Sequence, residues 1–378
     1  MPPLSFPGVN AINPQEKTRL SFECTRWLPN HPRTRHTAQA LLADLAAYTD
    51  QAVLPDMYGQ GDLIGDFEKQ VAELLGKPAG VFMPSGTMAQ QIALRIHADR
   101  SHIPHLAFHP LCHLEIHEQK GYQLLHSLHG VLVGSPHRLL TLDDLKNVKE
   151  PLAALLLELP QREIGGQLPS WDELTAIASW ARERDIALHM DGARLWECQP
   201  FYQRSYAEIA ALFVTVYVSF YKILGGITGA MLLGSEDVIA EARIWQRRHG
   251  GNLVRMFPFV LSAKMGLETR LDRMAAYHAK AIEIAEVLST FPEIEVVPNP
   301  PHTNMLHVFV RGEADRLEQA ALEIAQEQKI WLINGFMPGQ IPAYQKFELT
   351  VGDGALEFSR EEITALFTTL LEKAAHAS

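Results

Sequence analysis

Short apolar runs alternate with amphipathic stretches through the middle of the chain, which predicts a largely parallel sheet covered on both faces. GVFMP (Gly80 to Pro84) reads as a strand running into SGTMAQQIALRIHAD, a helix opened by Ser85, Gly86 and Thr87. AALLLEL (Ala153 to Leu159) is a buried strand. The helix SWDELTAIASWARERD follows, with Ser170 as its N-cap, and then the strand IALHMD, ending at Asp191. FVTVYVSF (Phe213 to Phe220) and GAMLLG (Gly229 to Gly234) add two further strands. Residues 56–260 form the expected large domain.

A long helix from Ser262 to about Phe291 closes this pattern. Strands IEVVP, NMLHVFV, IWLI and FELTVG, with the helix ADRLEQAALEIAQEQK, predict a smaller C-terminal α/β domain over residues 261–378. Its last helix, SREEITALFTTLLEKAA, opens on a capping-box pattern of Ser359 and Glu362. Residues 1–55 hold one helical stretch, HTAQALLADLAAYTD, and read as an N-terminal segment packing on the other domains.

Composition narrows the class. The chain has 378 residues, more than one core usually serves. Apolar residues make up 47% and charged residues 20%, the profile of a soluble globular protein. A formal net charge of −11 argues against a nucleic-acid or anionic-membrane binder, since both need a basic face. Cys24, Cys112 and Cys198 are odd in number and far apart, which fits a reducing compartment and a cytoplasmic location. MPPLSFPGVN lacks the basic start and apolar stretch of a secretory signal. The longest apolar runs, such as Ala210 to Phe220, fall short of a membrane span.

Three segments carry chemistry. A strand ending in Ser85-Gly86-Thr87 at a helix N-terminus presents backbone N–H groups and two hydroxyls suited to a phosphate. Read alone it is equally an ordinary capped turn. Asp191 stands at the C-terminal end of a buried strand, where open parallel sheets bind ligands, or serves there as a helix cap. Arg194, three residues on, has the reach and fork to hold a carboxylate. Lys222 follows an apolar strand in a Gly-rich loop, either reactive or simply solvated. The order of phosphate turn, strand-end Asp and a Lys about thirty residues later is a pyridoxal-phosphate arrangement. The amine joins the cofactor aldehyde, and the carboxylate favours a protonated ring nitrogen, which makes the ring an electron sink. His109, His113 and His117 fall at i, i+4 and i+8, which on a helix would stack on one face. They invite a metal site with Glu115 or Glu118, although Pro110 interrupts the spacing. The other reading has one histidine stacked on the cofactor ring and no metal.

The chain resembles the low-specificity threonine aldolases of the β-eliminating lyase group of fold-type-I pyridoxal-phosphate enzymes. The resemblance runs from about Met57 to the C-terminus through MYGQGD, the SGT turn, CHLEIHEQKG, ALHMDGARLW, YKILGGITGAMLLG, HGGN and HTNML. It implies a pyridoxal 5'-phosphate lyase of small amino acids, with Lys222 carrying the cofactor and Asp191 partnering its ring nitrogen. Ser85, Gly86 and Thr87 would hold the phosphate, and His113 would stack on the ring and take part in catalysis. Arg194 would bind the substrate carboxylate. Tyr58 would reach the active site of a neighbouring subunit in a homodimer or homotetramer. Departures fall in the substrate pocket. Glu158-Leu159-Pro160-Gln161 replaces Glu-Asn-Thr-His, putting Gln161 on the substrate side, and Ser21-Phe22-Glu23-Cys24 replaces Arg-Ser-Asp-Thr. Lys346 and Phe347 stand where a second carboxylate-binding arginine is expected, and Tyr221 replaces a serine before the lysine. The expected reaction cleaves the Cα–Cβ bond of L-threonine, L-allo-threonine or a related β-hydroxy amino acid. Alternatives are β-elimination or racemisation on the same cofactor and, remotely, a histidine-cluster metal hydrolase.

Overall fold

The computed structural model describes residues 14–32, 37–339 and 341–376, so the stretch read for a signal lies outside the described residues. Two compact units divide the chain. One comprises residues 42–278 with 301–303, and the other the described part of 1–41 with 279–300 and 304–378.

The first unit is built on seven strands: β1 (Ala79–Met83), β2 (His105–Phe108), β3 (His129–Leu132), β4 (Ala154–Glu158), β5 (Ala187–Gly192), β6 (Thr215–Ser219) and β7 (Ala230–Gly234). Their order across the sheet is β1-β7-β6-β5-β4-β2-β3. β7 runs antiparallel to both neighbours, and every other pair is parallel. β6 and β7 are buried at every position, as strands covered on both faces must be. In the register Glu158 pairs with Asp191 and Asp191 with Tyr217. Three polar side chains therefore stand side by side on one face, level with the C-terminal ends of β4 and β5.

That face is covered by α2 (Gly86–Ser101), which follows α1 (Asp62–Leu74) and β1. Ala89, Ile92, Ala93 and Ile96 of α2 pack with Val81, Met83, Tyr217, Ala230 and Leu232 of the sheet. Val238, Ile239 and Ala242 complete this core. The helices α3 (His113–Ile116) and α4 (Trp171–Arg182) follow, the latter capped by the Ser170 hydroxyl, which accepts from Glu173 N. Next come α5 (Glu236–Arg248), α6 (Phe257–Arg270) and α7 (Met274–Leu288).

The expected long helix from Ser262 to Phe291 is corrected here into α6 and α7, with a single 3-10 turn, Leu271–Arg273, between them. Arg270 leaves helical geometry at φ −124 and donates to Leu224 O at 2.8 Å. α6 also begins earlier than expected, because the Asp56 carboxylate accepts from Met256 N and Phe257 N, each at 2.7 Å. It satisfies N–H groups that a helix start leaves open.

In the second unit, β8 (Ile294–Val297), β9 (Met305–Arg311) and β10 (Tyr344–Thr350) pair antiparallel, with Met337–Pro338 at the β10 edge. The IWLI run does not join this sheet. Ile330–Trp331 pairs in parallel with Arg26–Trp27 instead. α8 (Ala314–Gln328) and α9 (Arg360–His376) match the expected helices, and Ser359 and Glu362 cap α9 reciprocally. Phe347 is buried and stacked on Phe367, a core position.

Phe220, just after β6, is fully buried with its ring against Phe67, Phe82 and Trp196. Phe220→Ala is expected to lower the unfolding free energy by about 3–5 kcal/mol, measured by denaturant titration. An unchanged midpoint would contradict this packing.

Candidate active site

Asp191 ends β5 and is 1% exposed. Its Oδ2 accepts from Gln90 Nε2 at 2.7 Å, and its Oδ1 from Ala193 N at 3.1 Å. Both donors are neutral. Burial pushes the carboxyl up, and only the charge of His113 and these hydrogen bonds pull it back. Glu158, its partner on β4, is pushed up to about 8 by burial and by Asp191. It accepts from Arg162 N, His113 N and Gln161 Nε2 at 3.1 to 3.2 Å. Deeper on the same face, the Thr215 hydroxyl meets His97 Nε2 and His189 Nδ1, each at 2.8 Å. Burial holds His97 down at about 4 and His189 at about 3, so both rings are neutral and add no cation. Among the described residues, no cation hydrogen-bonds to this buried acidic spot at the strand end.

Lys222 lies in the loop between β6 and β7. Phe220 N donates to Gly229 O, Gly226 N to Phe220 O and Gly225 N to Lys222 O, which closes the loop at both ends. Gly225 takes φ +72, a region that favours glycine. Thr228 Oγ1 donates to Pro84 O at 2.8 Å and ties this loop to the β1–α2 turn. The Lys222 ammonium is held below its usual value by burial first, then by the charges of Arg194 and Arg162. Asp191 and Glu197 oppose them. A lysine in that field presents more free amine near neutral pH, the form that attacks a carbonyl.

At the start of α2, the Ser85 hydroxyl accepts from Met88 N, while the first helical N–H groups lie beyond intrahelical reach. A Cβ on Gly86 would collide with the Tyr217 hydroxyl, so glycine is required there. Tyr217 and Tyr221 hydroxyls lie 3.4 Å apart beside it.

His113 opens α3 next to the Asp191–Glu158 pair, and both carboxylates act on its ring. The expected stack of His109, His113 and His117 on one helix is corrected. α3 is a single turn beginning at His113, and His109 stands before it, facing the carbonyls of Ser135 and Arg138. Among the described residues no group of three or more His, Cys, Asp or Glu side chains converges as a metal site. Gln161 is buried, its amide donating to Leu111 O and Glu158. Tyr58 sits at φ +51 in an exposed turn. Gln90, Gln91 and Tyr217 join the site without having been singled out. The visible signal was a pair of amides among Ala89, Ile92 and Ala93 on an apolar helix face.

This donor set fits pyridoxal phosphate. An uncompensated buried carboxylate suits a pyridinium, a depressed lysine suits an aldehyde, and a glycine-opened helix N-terminus suits a phosphate. Among the described residues no helix is long and apolar enough to cross a membrane.

Comparison with known proteins agrees. A family described as beta-eliminating lyase matches residues 34–313. Aldolase vrtJ of Penicillium aethiopicum is 34% identical over 293 residues, covering 72% of this chain and 71% of that protein. The low specificity L-threonine aldolase of Saccharomyces cerevisiae is 28% identical over 303 residues, covering 76% and 74% respectively. The solved structure of a candidate L-allo-threonine aldolase from Listeria monocytogenes superposes with a TM-score of 0.88 at 43% identity. It covers 94% of this chain and 99% of that one.

Gly86→Ala is expected to raise the dissociation constant of pyridoxal phosphate about tenfold, a loss of about 1.4 kcal/mol. Absorbance titration of the apoprotein measures it, and an unchanged constant would remove the close approach at Gly86 from the account.

Proposed function

From the premise that this chain belongs to the beta-eliminating lyase family, whose members are pyridoxal-phosphate-dependent lyases, we propose that it cleaves β-hydroxy amino acids at Cα–Cβ. The substrate is L-threonine, L-allo-threonine or a close relative, and the products are glycine and an aldehyde. The observation that carries this reading is a Lys222 held low mainly by burial, in the field of a buried Asp191 whose hydrogen-bond donors are both neutral.

Bound here, pyridoxal phosphate supplies the electron sink for the pair left at Cα when the bond breaks. Lys222 would hold the cofactor through its aldehyde. Asp191 keeps the ring nitrogen protonated, since an adjacent anion favours the cationic form. Ser85, Gly86 and Thr87 cradle the phosphate at the α2 N-terminus. Arg194 anchors the substrate carboxylate, a task suited to a guanidinium fork. His113 would face the bound cofactor and accept the proton of the substrate's Cβ hydroxyl. Gln161 and Tyr58 belong to the substrate side, Tyr58 from a neighbouring subunit of a homodimer or homotetramer. An exposed aromatic in a tight turn supports that placement of Tyr58. Three buried free cysteines support a cytoplasmic location.

Incubation with pyridoxal phosphate and L-threonine or L-allo-threonine is expected to release glycine, measured by amino-acid chromatography. Pyruvate and ammonia in its place would replace the aldolase reading by β-elimination. Lys222→Ala is expected to abolish glycine release and the visible absorbance together. Asp191→Asn is expected to lower kcat about 100-fold while the cofactor remains bound.

A further inference from the structure

The His113 imidazole has a second partner that the reaction as outlined leaves unused. Its Nδ1 lies 3.1 Å from Glu118 Oε1, and the Glu118 side chain is almost wholly buried, at 1% exposure. The other carboxylate oxygen accepts from Gln91 Nε2 at 3.2 Å. Gln91 reaches it because position 121 is glycine, where a Cβ would run into the Gln91 amide. The His113 main chain is pinned separately, its N–H donating to Glu158 Oε2 at 3.1 Å. Ring and backbone are thus held by two different carboxylates, one just beyond α3 and one at the end of β4.

Such an arrangement fixes a tautomer. An ionised carboxylate only accepts, so the imidazole nitrogen facing it must carry a proton. The remote nitrogen then carries none unless the ring is cationic. We infer that Glu118 is the positioning residue for His113, holding the ring in the Nδ1–H form so that Nε2 is the basic nitrogen. The inference rests on the assignment of His113 as the base for the Cβ hydroxyl, and it supplies what makes that base competent. A buried carboxylate orients the catalytic histidine of a Ser-His-Asp triad in the same way.

Electrostatics run in the same direction. Burial works to lower the His113 pKa, but the Glu118 hydrogen bond and the charges of Asp191, Glu118 and Glu158 outweigh it, so the net shift is upward. The His117 ring lies 5.1 Å away and is paired with Glu163. A raised pKa makes a stronger base, present as neutral imidazole only above that pKa. Activity should therefore fall as pH drops through it. Removing the Glu118 charge should move that acid limb to lower pH.

The test uses the holoenzyme. Nitrogen-detected NMR of imidazole-labelled protein, with His113→Gln to assign the signal, reads tautomer and titration directly. The expected wild-type result is an Nδ1–H tautomer. Glu118→Gln keeps an acceptor but drops the charge, so the His113 titration and the acid limb of kcat/KM should both move to lower pH. Glu118→Leu should lower kcat about tenfold with a smaller change in KM. A wild-type Nε2–H tautomer, or a Glu118→Gln titration and acid limb identical to wild type, would overturn the inference. The wild-type tautomer decides even if a variant does not fold. Should no β-hydroxy amino acid be cleaved, the aldolase reading fails, while the NMR result still judges the Glu118–His113 contact on its own.

Discussion

A carboxylate at the end of a buried strand, satisfied by an amide and a backbone N–H, carries a negative charge in a place that disfavours it. Asp191 is the point to which the rest of the large unit is accommodated. The neighbouring Glu158 is driven toward its neutral form, the histidines beneath are neutral, and Gln90 donates from a helix that would otherwise be apolar on that face. Among the described residues no cation hydrogen-bonds to Asp191, and His113 acts on it only through its charge. A cationic heterocycle bound there would discharge the site, so the cofactor would belong to the electrostatic balance of the fold as well as to its chemistry.

Parallel strands make that balance possible by bringing their C-terminal ends to one edge, where the loops that follow converge. Asp191 leads into Arg194, Glu158 into Gln161 and Arg162, and β6 into Lys222. The one antiparallel strand in the sheet, β7, turns the lysine's loop into a short closed connection. Arg194 and Arg162 then act on Lys222 from other loops, so its amine is tuned by residues outside its own element.

The central strands and α2 were legible because their residues are strongly patterned. Val-rich or Leu-rich runs of about five residues leave no alternative to a buried strand, and Ser85 marks the helix start. Asp191 and Lys222 stood out as charges at the ends of such runs. β2 and β3 were not legible, since each has four residues and begins with histidine. The break between α6 and α7 was hidden too, because LDRM contains neither proline nor glycine and the cause is a contact from Arg270 to a distant carbonyl. Gln90 looks like a surface residue in the sequence and Glu118 like a ligand beside the histidines, and only burial and their hydrogen bonds reveal their work. The histidine spacing misled because periodicity assumes a helix, and the chain at Pro110 is not helical.

The lysine's hairpin is stitched together by neighbours in sequence, whereas the bond from Gln90 to Asp191 spans 101 residues. Local loops close early and at small entropic cost, and distant pairings close late. A newly made chain would thus close the turn that carries the lysine before it sets the acid meant to steady the vitamin's ring. Tight capture of the coloured ligand then becomes a reporter that the whole large unit has finished folding.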